Sequence, residues 1–123
     1  MGYRSHVVLA IAEPLVPQFM VTMAKCPEAR VLCFGDADNM QRDFQGEKGS
    51  FFFEWEGIKW YDNYEPIRAI EDFMSWACDN HTIGGEKIDG DEHYRFVRIG
   101  EEYDDIETRG WGFEIHPVRS IEY

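Results

Sequence analysis

No stretch of this 123-residue chain approaches 18 consecutive apolar side chains, so the sequence offers no membrane-spanning helix. Positive charge is scarce as well: 12 Lys and Arg stand against 24 Asp and Glu, a formal net charge of −12. A field of that sign repels nucleic acid and anionic membrane, and it removes the counterion release on which phosphate binding depends. Cysteine appears only as Cys26, Cys33 and Cys78, with no CxxC. An odd set cannot pair completely, and Cys33 and Cys78 fall in apolar patterns. The reading is reduced core thiols in a cytoplasmic compartment. There is no GxSxG, P-loop, GxGxxG, HxH or HExxH. The opening MGYRSHVVLAIAEP lacks the layout of a signal peptide, and His6 stands where a myristoylation pattern wants Ser or Thr.

What is abundant is aromatic: nine Phe, six Tyr and four Trp, too many for a disordered chain. The length suits one domain with its own core. Ser5 to Ala12 is apolar on both alternating faces, as a central strand requires. Pro14 opens a predicted helix to about Lys25, with Leu15, Val16, Phe19, Met20 and Met23 at helical spacing, and Cys26-Pro27 ends it. Arg30 to Phe34 reads as a second strand, followed by a polar loop from Gly35 to Gly49. Phe51–Trp55 and Ile58–Tyr61 read as strands joined by a turn at Glu56-Gly57. A second helix starts near Pro66 with Ile67, Ile70, Phe73, Met74 and Ala77 on its core stripe. Asn80 to Glu92 reads as a loop, Tyr94–Ile99 and Trp111–His116 as the last strands. The order β-α-β-β-β-α-β-β predicts an α+β fold, a ferredoxin-like two-layer sandwich variant with two helices on a mainly antiparallel sheet.

Few motifs carry chemistry. Asp36, Asp38 and Glu47 fall at positions 1, 3 and 12 of a calcium-type loop. Met40 supplies no oxygen at position 5 and Gln41 replaces the turn glycine, so a solvated acidic loop is the reading. Asp91 and His93 would share a strand face, but two ligands make no metal site. Cys78 and His81 stand close at a helix end, where a core thiol beside a loop imidazole is the ordinary arrangement. No catalytic residue, metal ligand or cofactor site is assigned. The aromatics Phe51, Phe52, Phe53, Trp55, Trp60, Tyr61 and Tyr64 suggest nucleobase stacking on a sheet, yet only Lys59 accompanies them. Core filling explains most of these rings, and one or two left exposed would suit a protein partner.

The acid is unevenly spread. Glu86 to Glu107 holds nine of the 24 carboxylates and three of the 12 bases, half of the net charge. The candidate partner-binding residues are Glu101, Glu102, Asp104, Asp105 and Glu107, joined by Asp89, Asp91 and Glu92. Three segments, Met1-Gly-Tyr-Arg-Ser5, Ile58-Lys-Trp-Tyr-Asp-Asn-Tyr-Glu-Pro66 and Tyr94 through Glu107, resemble small proteins of tailed bacteriophages. The resemblance covers about a quarter of the residues and carries no catalytic residue with it. It implies an accessory protein made in the host bacterial cytoplasm. The expected function is binding and inhibiting a host protein with a basic surface. Such a target would be a nucleic-acid-handling enzyme of restriction or CRISPR defence, occupied by an acidic, nucleic-acid-mimicking surface. The alternatives are a small-molecule or nucleotide-binding or metal-dependent enzyme using the Asp36/Asp38 loop or the Asp104/Asp105 turn, with Arg4, Arg95 and Arg98 converging as a cradle, and a virion-assembly accessory protein.

Overall fold

The computed structural model describes residues 2–117 and 121–122. Its centre is β1 (Ser5–Ile11), in which only His6 is not fully enclosed. A tight turn at Glu13–Leu15 leads into α1 (Val16–Lys25) and α2 (Pro27–Phe34). Then come β2 (Asn39–Arg42), β3 (Phe51–Ile58) and α3 (Glu65–Ala77). A small hairpin, β4 (Asn80–Ile83) and β5 (Glu86–Asp89), precedes β6 (Tyr94–Ile99) and β7 (Ile106–Gly110). The short pair β8 (His116–Pro117) and β9 (Ile121–Glu122) closes the chain. The main sheet has the order β2-β3-β1-β6-β7, and every neighbouring pair in it is antiparallel. The fold is therefore α+β, with three helices and a five-stranded antiparallel sheet.

Strand alternation divides the core into two layers. Val7, Leu9 and Ile11 of β1, Phe53 and Trp55 of β3, and Tyr94 and Phe96 of β6 pack against the helices, meeting Phe19, Met23, Cys33, Ile70, Phe73 and Met74. On the reverse face lie Val8, Ala10, Phe52 and Val97, covered by Phe44, Phe113 and Ile115 from irregular segments. Phe44 stacks on Phe52 with ring centres 4.3 Å apart. The covering segments are tied together by Gln45, whose Nε2 donates to Glu114 O and whose Oε1 accepts from Glu114 N. Both faces of the sheet are thus closed, which removes the surface that nucleobase stacking would need. Of the aromatic cluster, Phe52, Phe53 and Trp55 are buried, and only Tyr64 is strongly exposed.

Several expectations are corrected. Arg30–Phe34 is helix, not strand: Pro27 occupies the first turn of α2 and initiates it, and Ala29 and Cys33, four apart, are its buried residues. Among the described residues the α-helices number three rather than two. No turn forms at Glu56-Gly57; β3 continues through them with a slip in its pairing to β1 between Val7–Trp55 and Ser5–Ile58. It ends at Ile58, so Ile58–Tyr61 is not a separate strand, and its hairpin partner is β2, inside the segment read as loop. Glu56 N–H is held by Asp38 Oδ2 at 2.7 Å, which fastens this end of β3 to the residue before β2. The polar stretch 80–92 contains the β4–β5 hairpin, turning on Gly84 and Gly85 at φ 60° and 84°. The last long strand is Ile106–Gly110, not Trp111–His116. Gly110 has φ 69°, and a Cβ there would run into the Tyr94 carbonyl, so the chain leaves the sheet at that point. Cys78 is exposed, whereas Cys33 is buried, its thiol pKa pushed up by burial.

Because Phe52 holds the reverse-face cluster together, Phe52→Ala should cost about 3–5 kcal/mol in urea unfolding, as large aromatic truncations in cores do. A loss under about 1 kcal/mol would mean that the cover over this face contributes no packing.

Candidate partner-binding edge

The stripe that faces the helices along β6 begins Tyr94, Phe96 and then breaks with Arg98. A guanidinium on a core-facing stripe has to find acceptors, and the acid-rich turn after β6 supplies them. Arg98 donates to both carboxylate oxygens of Asp105, at 3.1 and 2.8 Å, to Glu107 Oε1 at 3.2 Å, and to Ser5 Oγ at 3.2 Å. The Tyr3 hydroxyl donates to Asp105 Oδ2 at 2.6 Å and accepts from Glu102 N–H at 3.0 Å. Gly100 N–H donates to Asp105 O, and Arg4 N–H to Glu101 Oε2 at 2.6 Å.

These bonds split the acid-rich segment into two roles. Asp105 and Glu107 turn inward and neutralise Arg98. Its guanidinium, followed by Tyr3, holds the Asp105 carboxyl below its ordinary value, while the bond to Asp105 pushes the Tyr3 phenol up. Glu101, Glu102, Tyr103 and Asp104 stay exposed at the tip, with Tyr103 84% exposed. The tip is therefore a preorganised acidic and aromatic projection. Asp89, Asp91 and Glu92 sit at the other end of β6, about 20 Å away for six extended residues. Asp89 Oδ1 caps the 3-10 turn Gly90–His93 through Asp91 N–H. That turn also removes the strand alternation that would have placed Asp91 and His93 on one face.

Beside the tip lies a cleft of about 610 Å³ lined by Tyr3, Ser5, Trp60, Asp62, Glu71 and Arg98, among others. Glu71 accepts from Trp60 Nε1 at 2.9 Å and from Arg109 at 2.8 Å, clamping α3 to β7. Every cation here is already engaged by carboxylates, so the cleft offers no cradle for a phosphate. The three arginines expected to converge do not. Arg95, three residues from Arg98, projects from the reverse face to the Ile115 and Gly110 carbonyls, and Arg4 binds Gly57 O.

No family model, curated protein or solved structure matches this chain. Function therefore rests on the geometry. Among the described residues no group of three or more His, Cys, Asp or Glu is placed to hold a metal ion. The calcium-like loop is closed by its own bonds instead: Asp43 Oδ1 accepts from Gly49 N–H, and Ser50 Oγ accepts from Phe44 N–H. Cys78 Sγ bonds to Ser75 O, and His81 stacks on Trp76 at 4.0 Å with its Nε2 against Trp76 O, so thiol and imidazole have separate partners. Among the described residues no helix is long and apolar enough to cross a membrane.

Sequence reasoning singled out the carboxylates, placed Arg98 in a phosphate cradle and missed Tyr3 and Ser5; together these three side chains orient the turn. The signal was present in Arg98, the one charge on the Tyr94–Phe96–Arg98 stripe.

A depressed Asp105 pKa stabilises the fold above the unfolded-state value, and that contribution is lost as pH falls through the folded-state value. Wild type should thus exceed Asp105→Asn in Tm at neutral pH, and the two should converge in strong acid. A constant gap across the series would show that Asp105 does not act through its charge.

Proposed function

We propose that this protein is a binding protein that docks on a basic surface of another protein through its acidic tip. The phage resemblance makes a host protein the natural target, and an inhibitor of a nucleic-acid-handling defence enzyme the specific form of the reading. The observation that carries it is the division of labour in the acid-rich turn. Tyr3, Arg98, Asp105 and Glu107 build the base, and Glu101, Glu102 and Asp104 are exposed beside Tyr103, Glu101 with one oxygen on Arg4 N–H. Preorganised side chains lose less entropy on binding, and exposed carboxylates raise the rate of encounter with a cationic surface. A solubilising patch alone would need neither the scaffold nor the tyrosine.

The fold reading extends in the same way. Setting aside α2, the β4–β5 hairpin, β7 and the β8–β9 pair, the remaining elements run β-α-β-β-α-β with sheet order β2-β3-β1-β6. That arrangement supports a ferredoxin-like variant in which β7 is an added edge. A nucleotide-binding enzyme gains no support, because Arg98 is committed to Asp105 and Glu107.

The triple variant Glu101→Lys, Glu102→Lys, Asp104→Lys should lose capture of its host target, and wild-type capture should weaken steeply with salt. A control of equal charge change, Glu47→Lys, Asp72→Lys, Glu86→Lys, should retain it. Equal capture by both variants would contradict the proposal.

A further inference from the structure

The two acidic groups, separated along β6, flank one structural feature. The tip 101–104 stands at the start of β7. At the strand's other end Trp111 N–H donates to Asp91 O at 2.9 Å, bringing Asp91 and Glu92 alongside. Between them β7 pairs with β6 on one side only among the described residues.

Edge strands in soluble proteins are ordinarily blunted by short length, lysine, proline, bulges or inward-pointing charges that an added strand would bury unpaired. The segment Ile106-Glu-Thr-Arg-Gly110 has no lysine or proline, and its two inward charges are already paired, Glu107 with Arg98 and Arg109 with Glu71, so an added strand leaves neither without a partner. Among the described residues, three of the six exposed large hydrophobics lie in or beside it: Ile106 at 40% within the strand, Trp111 at 60% directly after it and Tyr103 at 84% in the turn before it. The backbone is open at the centre of the strand, while at its ends Ile106 N–H bonds Asp104 O and Gly110 O accepts from Arg95. Gly100 N–H bonds Asp105 O at the hairpin end, so the hydrogen-bonded pairs continue at Arg98/Glu107 and Phe96/Arg109. Thr108, between them, turns its N–H and C=O to the open side. The opposite edge, β2, is four residues long, ends in Arg42 and has no exposed large hydrophobic.

We infer that β7 is a strand-addition site for an extended basic segment of a partner protein, seated between Tyr103 and Trp111. The inference rests on the binding-protein reading and specifies how the partner is held. Main-chain bonds to Thr108 and its neighbours give affinity, as in other edge-strand complexes. The acids at both ends favour Lys or Arg at both ends of a segment spanning about 17 Å, the length of five extended residues. A second copy of this chain is the wrong occupant. Antiparallel pairing of two β7 strands sets the tip of each against Asp91 and Glu92 of the other, and parallel pairing sets tip against tip, so carboxylates face carboxylates either way.

The test uses two capped peptides, Lys-Arg-Thr-Val-Thr-Val-Thr-Arg-Lys and the same sequence N-methylated at each of its five central residues, which blocks both edges of the strand, titrated by fluorescence anisotropy at low salt. Charge is identical, but the second cannot form strand bonds. The plain peptide should bind, and N-methylation should weaken it about tenfold or more, the loss of roughly two net hydrogen bonds. The triple tip variant should also bind it more weakly. Equal affinity for the two peptides, with the tip variant still weakened, overturns strand addition and leaves the acidic-surface reading standing. If neither change matters, both fall. No binding of the plain peptide, or a dimer of the protein alone by light scattering, also overturns the inference.

Discussion

The constraint on which the rest of this structure depends is that β1 is apolar on both faces and lies at the centre of the sheet. Val7, Leu9 and Ile11 require one cover, and Val8 and Ala10 another. Helices supply the first. The second comes from irregular segments, through Phe44, Phe113 and Ile115, because no helix remains for that side. Their backbone has to be satisfied locally, and the reciprocal Gln45–Glu114 bonds do this. Covering both faces leaves the sheet edges and the strand ends as the places where it can meet another molecule.

Arg98 then determines what one of those ends looks like. Placed on the helix-facing side of β6, it draws Asp105 and Glu107 inward and, with Tyr3, fixes the turn that carries the remaining acids outward. One buried-side cation thus sorts a run of like charges into a structural pair and an exposed tip. The pairing of Glu107 with Arg98, together with Arg109 on Glu71, satisfies the two inward-pointing charges that would otherwise have guarded the edge of β7. Turn and edge are consequences of a single electrostatic requirement.

The strongest patterns were legible in the sequence. β1 was recognisable from its two apolar faces, and α3 from Ile67, Ile70, Phe73, Met74 and Ala77, all of which are buried. What escaped was punctuation. Pro27 both ends one helix and starts the next, so Val31-Leu-Cys-Phe34 looked like a strand. Gly57 looked like a turn but has no positive φ, whereas Gly110, the residue that does end a strand, was taken for part of a loop. The acid-rich turn was visible as composition, but its division into inward and outward carboxylates depends on Tyr3 and Ser5, about a hundred residues away. No local pattern carries that contact.

Amide hydrogen exchange of the protein with its captured partner tests the central claim most directly. The account predicts that protection on binding appears at Thr108 and its β7 neighbours and in the turn 101–105, with the helices unchanged. Protection confined to α1 and α2, or to β2 at the other edge, would contradict it.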